Sequence, residues 1–300
     1  MASRPPYSIL HAIGNTPLIA LQRLPTKGSA RLLAKLESVN PGGSIKDRIV
    51  LAMVEDAEDK GLLVPGMTIV ESTSGNTGIS MVLIGMAKGY PVTIVMPEDV
   101  QHERSHFLTR LGAKVVFTSF LLGMEGAHQR AHEMVQEDKN LLLLDQFSNP
   151  ANPRTHRENT ANEILNDITG SIDAFVTGVG TGGTITGVGE ALKEHNSSIL
   201  VVAVEPASSP VISGGKPHLH EIPGIGPSFV PPILNRTMID EIIQVTNEQA
   251  KHMTSQLATE EGLLVGPSSG ANVFASLKVG HILGPLKTVV TILPDTGNRY

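Results

Sequence analysis

Short apolar runs rich in β-branched residues alternate along the chain with stretches whose apolar positions recur every three to four residues. That alternation predicts an α/β architecture with a largely parallel sheet. The strands fall at 32–36, 68–70, 92–96, 114–118, 141–144, 174–177, 200–204 and 288–293, and one helix lies between most neighbours. The helix at 45–60 shows the logic. Ser44 can cap it, Ile45, Ile49, Ala52, Met53 and Ala57 share a face, and Gly61 ends it. Its amine-bearing Lys46 sits in the first turn.

Two blocks of such units are joined by the loop FSNPANP at 147–153. The expected division is a smaller, mobile domain at 40–146 and a larger one from 1–39 plus 147–300, with ligands in a cleft between them. The stretch 208–232, rich in Gly and Pro, is long for a connection and reads as either a functional or a mobile loop.

Composition narrows the chemistry. With 300 residues, 40% of them hydrophobic, the chain can bury a sizeable core, and a formal charge of −6 offers no basic field for nucleic acid or anionic lipid. Aromatics are only 3%, which argues against base-stacking platforms. The absence of cysteine removes disulfides, thiolate metal sites and a cysteine nucleophile together. The opening MASRPPYSIL lacks an apolar signal core and no apolar run reaches the length of a membrane span, so a cytoplasmic protein acting on a small molecule is expected.

Three loops can carry chemistry. GVGTGGTITG, read from Gly178, follows a strand and opens a helix, so backbone N–H groups can converge on an anion there. Gly178, Gly180 and Gly183 also satisfy GxGxxG, and Glu205 ends the next strand, so a dinucleotide site is formally possible; a ligand-free helix start is the plain alternative. Thr181 and Thr184 add hydroxyls suited to a phosphate monoester. STSGNTG, from Ser72 to Gly78, again lies between strand and helix and could grip a carboxylate, although an ordinary capped helix looks similar. NPGGSIKDR puts Lys46 just inside a helix, where the macrodipole favours its neutral, nucleophilic form; a solvated lysine beside Asp47 is the alternative.

NPGGSIKDR, STSGNTG, DQFSNPANP, GVGTGGT, VGPSSGA and PDTGNRY, in this order, resemble the cysteine synthase (O-acetylserine sulfhydrylase) family of fold-type II enzymes, which depend on pyridoxal 5′-phosphate. The resemblance spans essentially the whole chain and implies two three-layer α/β domains of the tryptophan synthase β-like class. It makes Lys46 the Schiff-base lysine and catalytic base, and gives the cofactor phosphate to Gly180, Thr181, Gly182, Gly183 and Thr184. Asn76 would bond the pyridine 3′-oxygen and Ser268 the pyridine nitrogen. Thr73, Ser74, Asn76, Thr77 and Gln146 would bind the substrate. The implied reaction is β-replacement on O-acetyl-L-serine, sulfide adding to an α-aminoacrylate intermediate to give cysteine and acetate. A hydroxyl at the ring nitrogen cannot protonate it as an aspartate would, which favours β-elimination. A cytoplasmic homodimer that can bind the C-terminal tail of serine acetyltransferase is likewise implied.

Departures from the family pattern are Ser72, where proline is usual, and Pro267, where an aliphatic residue is usual. Related readings are a bacterial cystathionine β-synthase taking homocysteine, and an O-phosphoserine sulfhydrylase. The segment 223–229 has no arginine to meet a substrate phosphate, which favours the acetyl ester. From another class, HERSH at 102–106 fits the HExxH of zinc peptidases. The nearby His128 and His132 read as a solvated helix face.

Overall fold

The structure, a computed structural model, describes residues 8–98 and 102–300, without the side chains of 102–104. Ten strands are present among them: β1 (Leu18–Leu21), β2 (Arg31–Leu36), β3 (Thr68–Ser72), β4 (Val92–Pro97), β5 (Lys114–Thr118), β6 (Leu141–Leu143), β7 (Ala174–Gly178), β8 (Leu200–Pro206), β9 (Glu241–Val245) and β10 (Thr288–Leu293). The helices are α1 (Lys46–Asp59), α2 (Asn76–Lys88), α3 (His102–Arg110), α4 (Gly123–Glu137), α5 (Ala151–Thr155), α6 (Ala161–Asp167), α7 (Gly183–His195), α8 (Asn247–Glu261) and α9 (Pro267–Leu283). The chain divides into one unit of Met1–Ile13 with Lys46–Ala151 and a second of Gly14–Ile45 with Asn152–Tyr300.

The first unit holds a parallel sheet in the order β5-β4-β3-β6. Side chains alternate across it: Ile69, Ile94 and Met96 pack with Ile49, Met53, Met81 and Ile84 of α1 and α2, while Val70 and Val95 pack with Ala127, Ala131 and Met134 of α4. Both faces are covered, which is why these strands read as continuous apolar runs. Burying each such valine or isoleucine contributes about 1.5–3 kcal/mol.

The second unit is built likewise on the order β1-β2-β10-β7-β8-β9, parallel throughout except for β1. Ala174, Val176, Val202 and Val204 face α8 and α9, and Phe175, Val201 and Ala203 face α6 and α7. The expected α/β class with two three-layer units therefore holds. β1 and β9 were not anticipated from the sequence. Both are edge strands covered on one side only, and their mixed burial erases the apolar run by which the central strands are recognised.

Candidate active site

In the first unit the chemistry gathers at the N-terminal ends of two packed helices. Lys46 is the first residue of α1 and Asn76 the first of α2. The fully buried Asp47 ties them together, its Oδ1 accepting from Ser80 Oγ at 2.5 Å, while the same hydroxyl reaches Asn76 O at 3.2 Å. The loop that opens α2 is shaped by its own side chains, since Gly75 N donates to Thr73 Oγ at 3.1 Å. Thr77 Oγ donates to Gln146 Oε1 at 2.7 Å, both residues buried. Thr73, Ser74, Asn76, Thr77 and Gln146, drawn from separate stretches of sequence, thus meet around a helix N-terminus whose N–H groups and dipole favour an anion.

Glu71, the last charged residue of β3 before this loop, was not singled out by the sequence reading. It is 1% exposed and accepts from Ser72 N at 3.1 Å and Gln146 N at 3.2 Å, so one carboxyl group ties the end of β3 to the stretch after β6. Burial, and then the charge of Asp145, push its pKa up to about 8 against the pull of those N–H groups. A raised carboxyl pKa means that the folded state holds a proton the unfolded chain gives up, so its contribution is complete below the ordinary carboxylate range and is lost as pH rises through about 8. Between pH 5 and pH 9 this costs on the order of 4 kcal/mol. Denaturant unfolding of Glu71→Gln over that range should therefore show a flatter fall in stability than the parent; parallel curves would contradict the assignment.

The pair on α4 is not the solvated face expected of it. His128 Nδ1 lies 3.2 Å from Ser72 Oγ, and His128 Nε2 lies 3.1 Å from His132 Nε2. The correction follows from β3 alternation: Ser72 shares the face of Val70, against which α4 packs. With proline at position 72 no such bond could form.

In the second unit, the loop from Gly178 to Thr184 joins β7 to α7. Its glycines are required by neighbours as much as by backbone: a Cβ on Gly180 would fall on the carbonyl of Gly224, and one on Gly183 on Asn152 Oδ1, while Gly182 has φ +87°. Thr181 Oγ accepts from Asn152 Nδ2 at 3.0 Å and Gly183 N at 3.4 Å. Thr184 Oγ lies 3.2 Å from Nε2 of the buried His156, whose Nδ1 meets Thr160 Oγ at 2.9 Å within a π-helical turn. Asn152 and His156 were missed as individual residues, although NPANP was marked as a motif.

Ser268 and Ser269 lie in the first turn of α9, buried, and Ser269 Oγ has no hydrogen-bond partner among the described residues. Asn272, one turn on, accepts from Gly178 N at 2.7 Å and donates to Ile292 O at 2.9 Å, which pins the phosphate-type loop to both α9 and β10. The closing PDTGNRY grips the turn before Lys46: Ile45 N donates to Pro294 O at 2.8 Å, Thr296 N to Gly43 O at 3.1 Å, and the Arg299 guanidinium to Gly42 O. The long loop after β8 is fastened too, since Glu205 accepts from Ile212 N at 2.8 Å and from Ser213 Oγ, and Gly226 N donates to Val179 O at 2.9 Å.

Those bonds weigh against the dinucleotide reading, because Glu205 is fully buried and committed to its own loop rather than offered to a ribose. In HERSH, the side chains of His102 and Glu103 lie outside the described residues; His106 is exposed.

The pyridoxal-phosphate dependent enzyme family matches residues 9–295. A protein named cysteine synthase from Staphylococcus aureus is 46% identical over all of this chain and 97% of its own length. A probable cysteine synthase from Bacillus subtilis is 48% identical, covering 96% of this chain and 94% of the relative. Among solved structures, O-ureido-L-serine synthase superposes with a TM-score of 0.95 at 42% identity, covering 99% of this chain and 94% of that one. Family match, full-length relatives and solved fold agree with one another, and the chain belongs to the pyridoxal-phosphate dependent enzymes.

Proposed function

We propose that the chain is a cysteine synthase, replacing the acetate of O-acetyl-L-serine by sulfide at the β-carbon. The observation that carries this reading is the pairing, within one unit, of Lys46 at the start of α1 with a carboxylate-type loop at the start of α2, held together through Asp47 and Ser80. Full-length relatives named cysteine synthase supply the substrate class.

The residues present fit the cofactor. Gly180 and Gly183 have no room for a side chain, and the loop opens α7, whose N-terminus favours a phosphate, with the Thr181 and Thr184 hydroxyls beside it. When bound, the cofactor supplies the electron sink that lets a group leave the β-carbon. Lys46 Nζ would hold it and would serve as the base that takes the substrate's α-proton. Asn76 would bond the cofactor's 3′-oxygen. Thr73, Ser74, Thr77 and Gln146 hold the substrate carboxylate, with Thr77 and Gln146 already oriented by their mutual bond. Ser268 would offer the ring nitrogen a hydroxyl, which cannot protonate it as a carboxylic acid would, and this would favour elimination. The enzyme works as a cytoplasmic homodimer.

The test is the visible spectrum of the cofactor-loaded protein. O-Acetylserine should shift the band and sulfide should restore it with release of cysteine. Restoration by homocysteine but not by sulfide would replace this reading with the cystathionine-forming one, and a protein that stays colourless with added cofactor would overturn both.

A further inference from the structure

Behind the carboxylate loop lies a polar chain that the reaction above does not use. Ser72 Oγ, His128 and His132 run from the end of β3 to α4, with the two rings edge-on at 4.5 Å between centroids and 82° between planes. Nitrogen-to-nitrogen contact between the two Nε2 atoms needs one proton between them, because each ring nitrogen is either a donor or an acceptor. In the neutral pair a second proton remains, and it sits on one of the two Nδ1 atoms. If it is on His132, the Ser72 hydroxyl donates to His128 Nδ1. When the pair takes up one more proton, both Nδ1 atoms carry hydrogen, so Ser72 must accept from His128. Its own O–H is then turned away from α4, and a positive charge stands directly behind the loop.

Two titratable elements stand beside the loop, the histidine pair and Glu71. Burial, followed by the proximity of His132, lowers the His128 pKa, while Asp145 opposes both. The groups that face it are His132 on its own helix, Ser72 at the end of β3 and Asp145 after β6, while Glu71, next to Ser72 along β3, belongs to the other face of the sheet. The packed strands β4 and β5 meet α4 through Val95 and Val116. Lys114, Glu98 and Glu125 are exposed, and Arg130 is engaged with Glu133 and Glu137.

We propose that Ser72, His128 and His132 are positioning residues for substrate binding, forming a proton-linked latch through which protonation of the histidine pair tightens the hold of the Thr73–Thr77 loop on the substrate carboxylate. This rests on the cysteine synthase reading. The added charge favours an anion on the loop, and so does the hydroxyl donor released where the neutral pair holds its second proton on His132, so binding and protonation support one another. The ordinary requirement for an unprotonated substrate amine acts in the opposite direction, and ionisation of Glu71 as pH rises through about 8 acts in the same direction as the latch, but both act on every variant, so the ratio of parent to variant affinity isolates the histidine pair.

The deciding measurement is the apparent affinity of the cofactor-loaded enzyme for O-acetylserine, followed by its visible spectrum from about pH 5 to about pH 8 in the parent, Ser72→Ala and His128→Gln, together with kcat. The ratio of parent to variant affinity should rise about fivefold towards the acid end, the scale of one hydrogen bond, with kcat changing much less. Ring-proton NMR of the same proteins should show the His128 titration displaced in Ser72→Ala, a readout that mere loss of packing would not produce. A ratio flat with pH, or an unmoved His128 titration, overturns the latch while leaving the cysteine synthase reading intact. No spectral response of the parent at any pH overturns both.

Discussion

Lys46→Ala should lower cysteine formation from O-acetylserine by at least about a thousandfold, since loss of a positioned proton acceptor alone is worth 10²–10⁴ and the covalent attachment goes with it. The fold should not suffer. Lys46 begins α1 and is only partly buried, and a cation in the first turn is opposed by the helix dipole, so alanine there is neutral or slightly stabilising. Steady-state assay beside thermal unfolding separates these effects. A variant active within tenfold of the parent would remove Lys46 from the centre of the chemistry, whatever its stability.

Gly180→Ala should act through the cofactor rather than through Lys46. Its Cβ would fall on the backbone carbonyl of Gly224, and a backbone neighbour cannot swing aside as a flexible side chain can. Either the loop before α7 or the loop around Gly224 must shift, at about 1–3 kcal/mol, and a shift of the first misaims the N–H groups that receive a phosphate. Titration of cofactor-free protein with pyridoxal phosphate should show affinity reduced by about tenfold to a hundredfold. Unchanged affinity would mean that this loop is not the phosphate cradle.

Much of the site was legible because it is written in contiguous motifs. A helix that starts at Lys46, a loop of Gly, Ser, Thr and Asn ahead of α2, and another ahead of α7 are local features, fixed by capping and backbone freedom within a few residues. The central strands were equally plain, since burial on both faces writes an uninterrupted apolar run. Edge strands β1 and β9 lacked that signature. What no local pattern could reveal was which polar groups are buried together: Glu71 with Gln146, Ser72 with His128, Asn152 with Thr181, and Asn272 with both Gly178 and Ile292.

The histidine pair shows the difference most clearly. From spacing alone, His128 and His132 lie one helical turn apart on a polar-looking helix, which describes any solvated face. Helix α4 packs the stripe of Ala127, Ala131 and Met134 against β3 and β4, and this rotates His128 towards Ser72. The sequence by itself determined the α/β class, the central strands and the Gly-, Ser- and Thr-rich loops that open α2 and α7, because these follow from periodicity and backbone chemistry over a few residues. Only the tertiary structure decided that Glu71 is a buried, proton-holding carboxyl and that Ser72 and His128 meet. Desolvation and long-range hydrogen bonding depend on what packs against a residue, and its neighbours in the chain do not specify that.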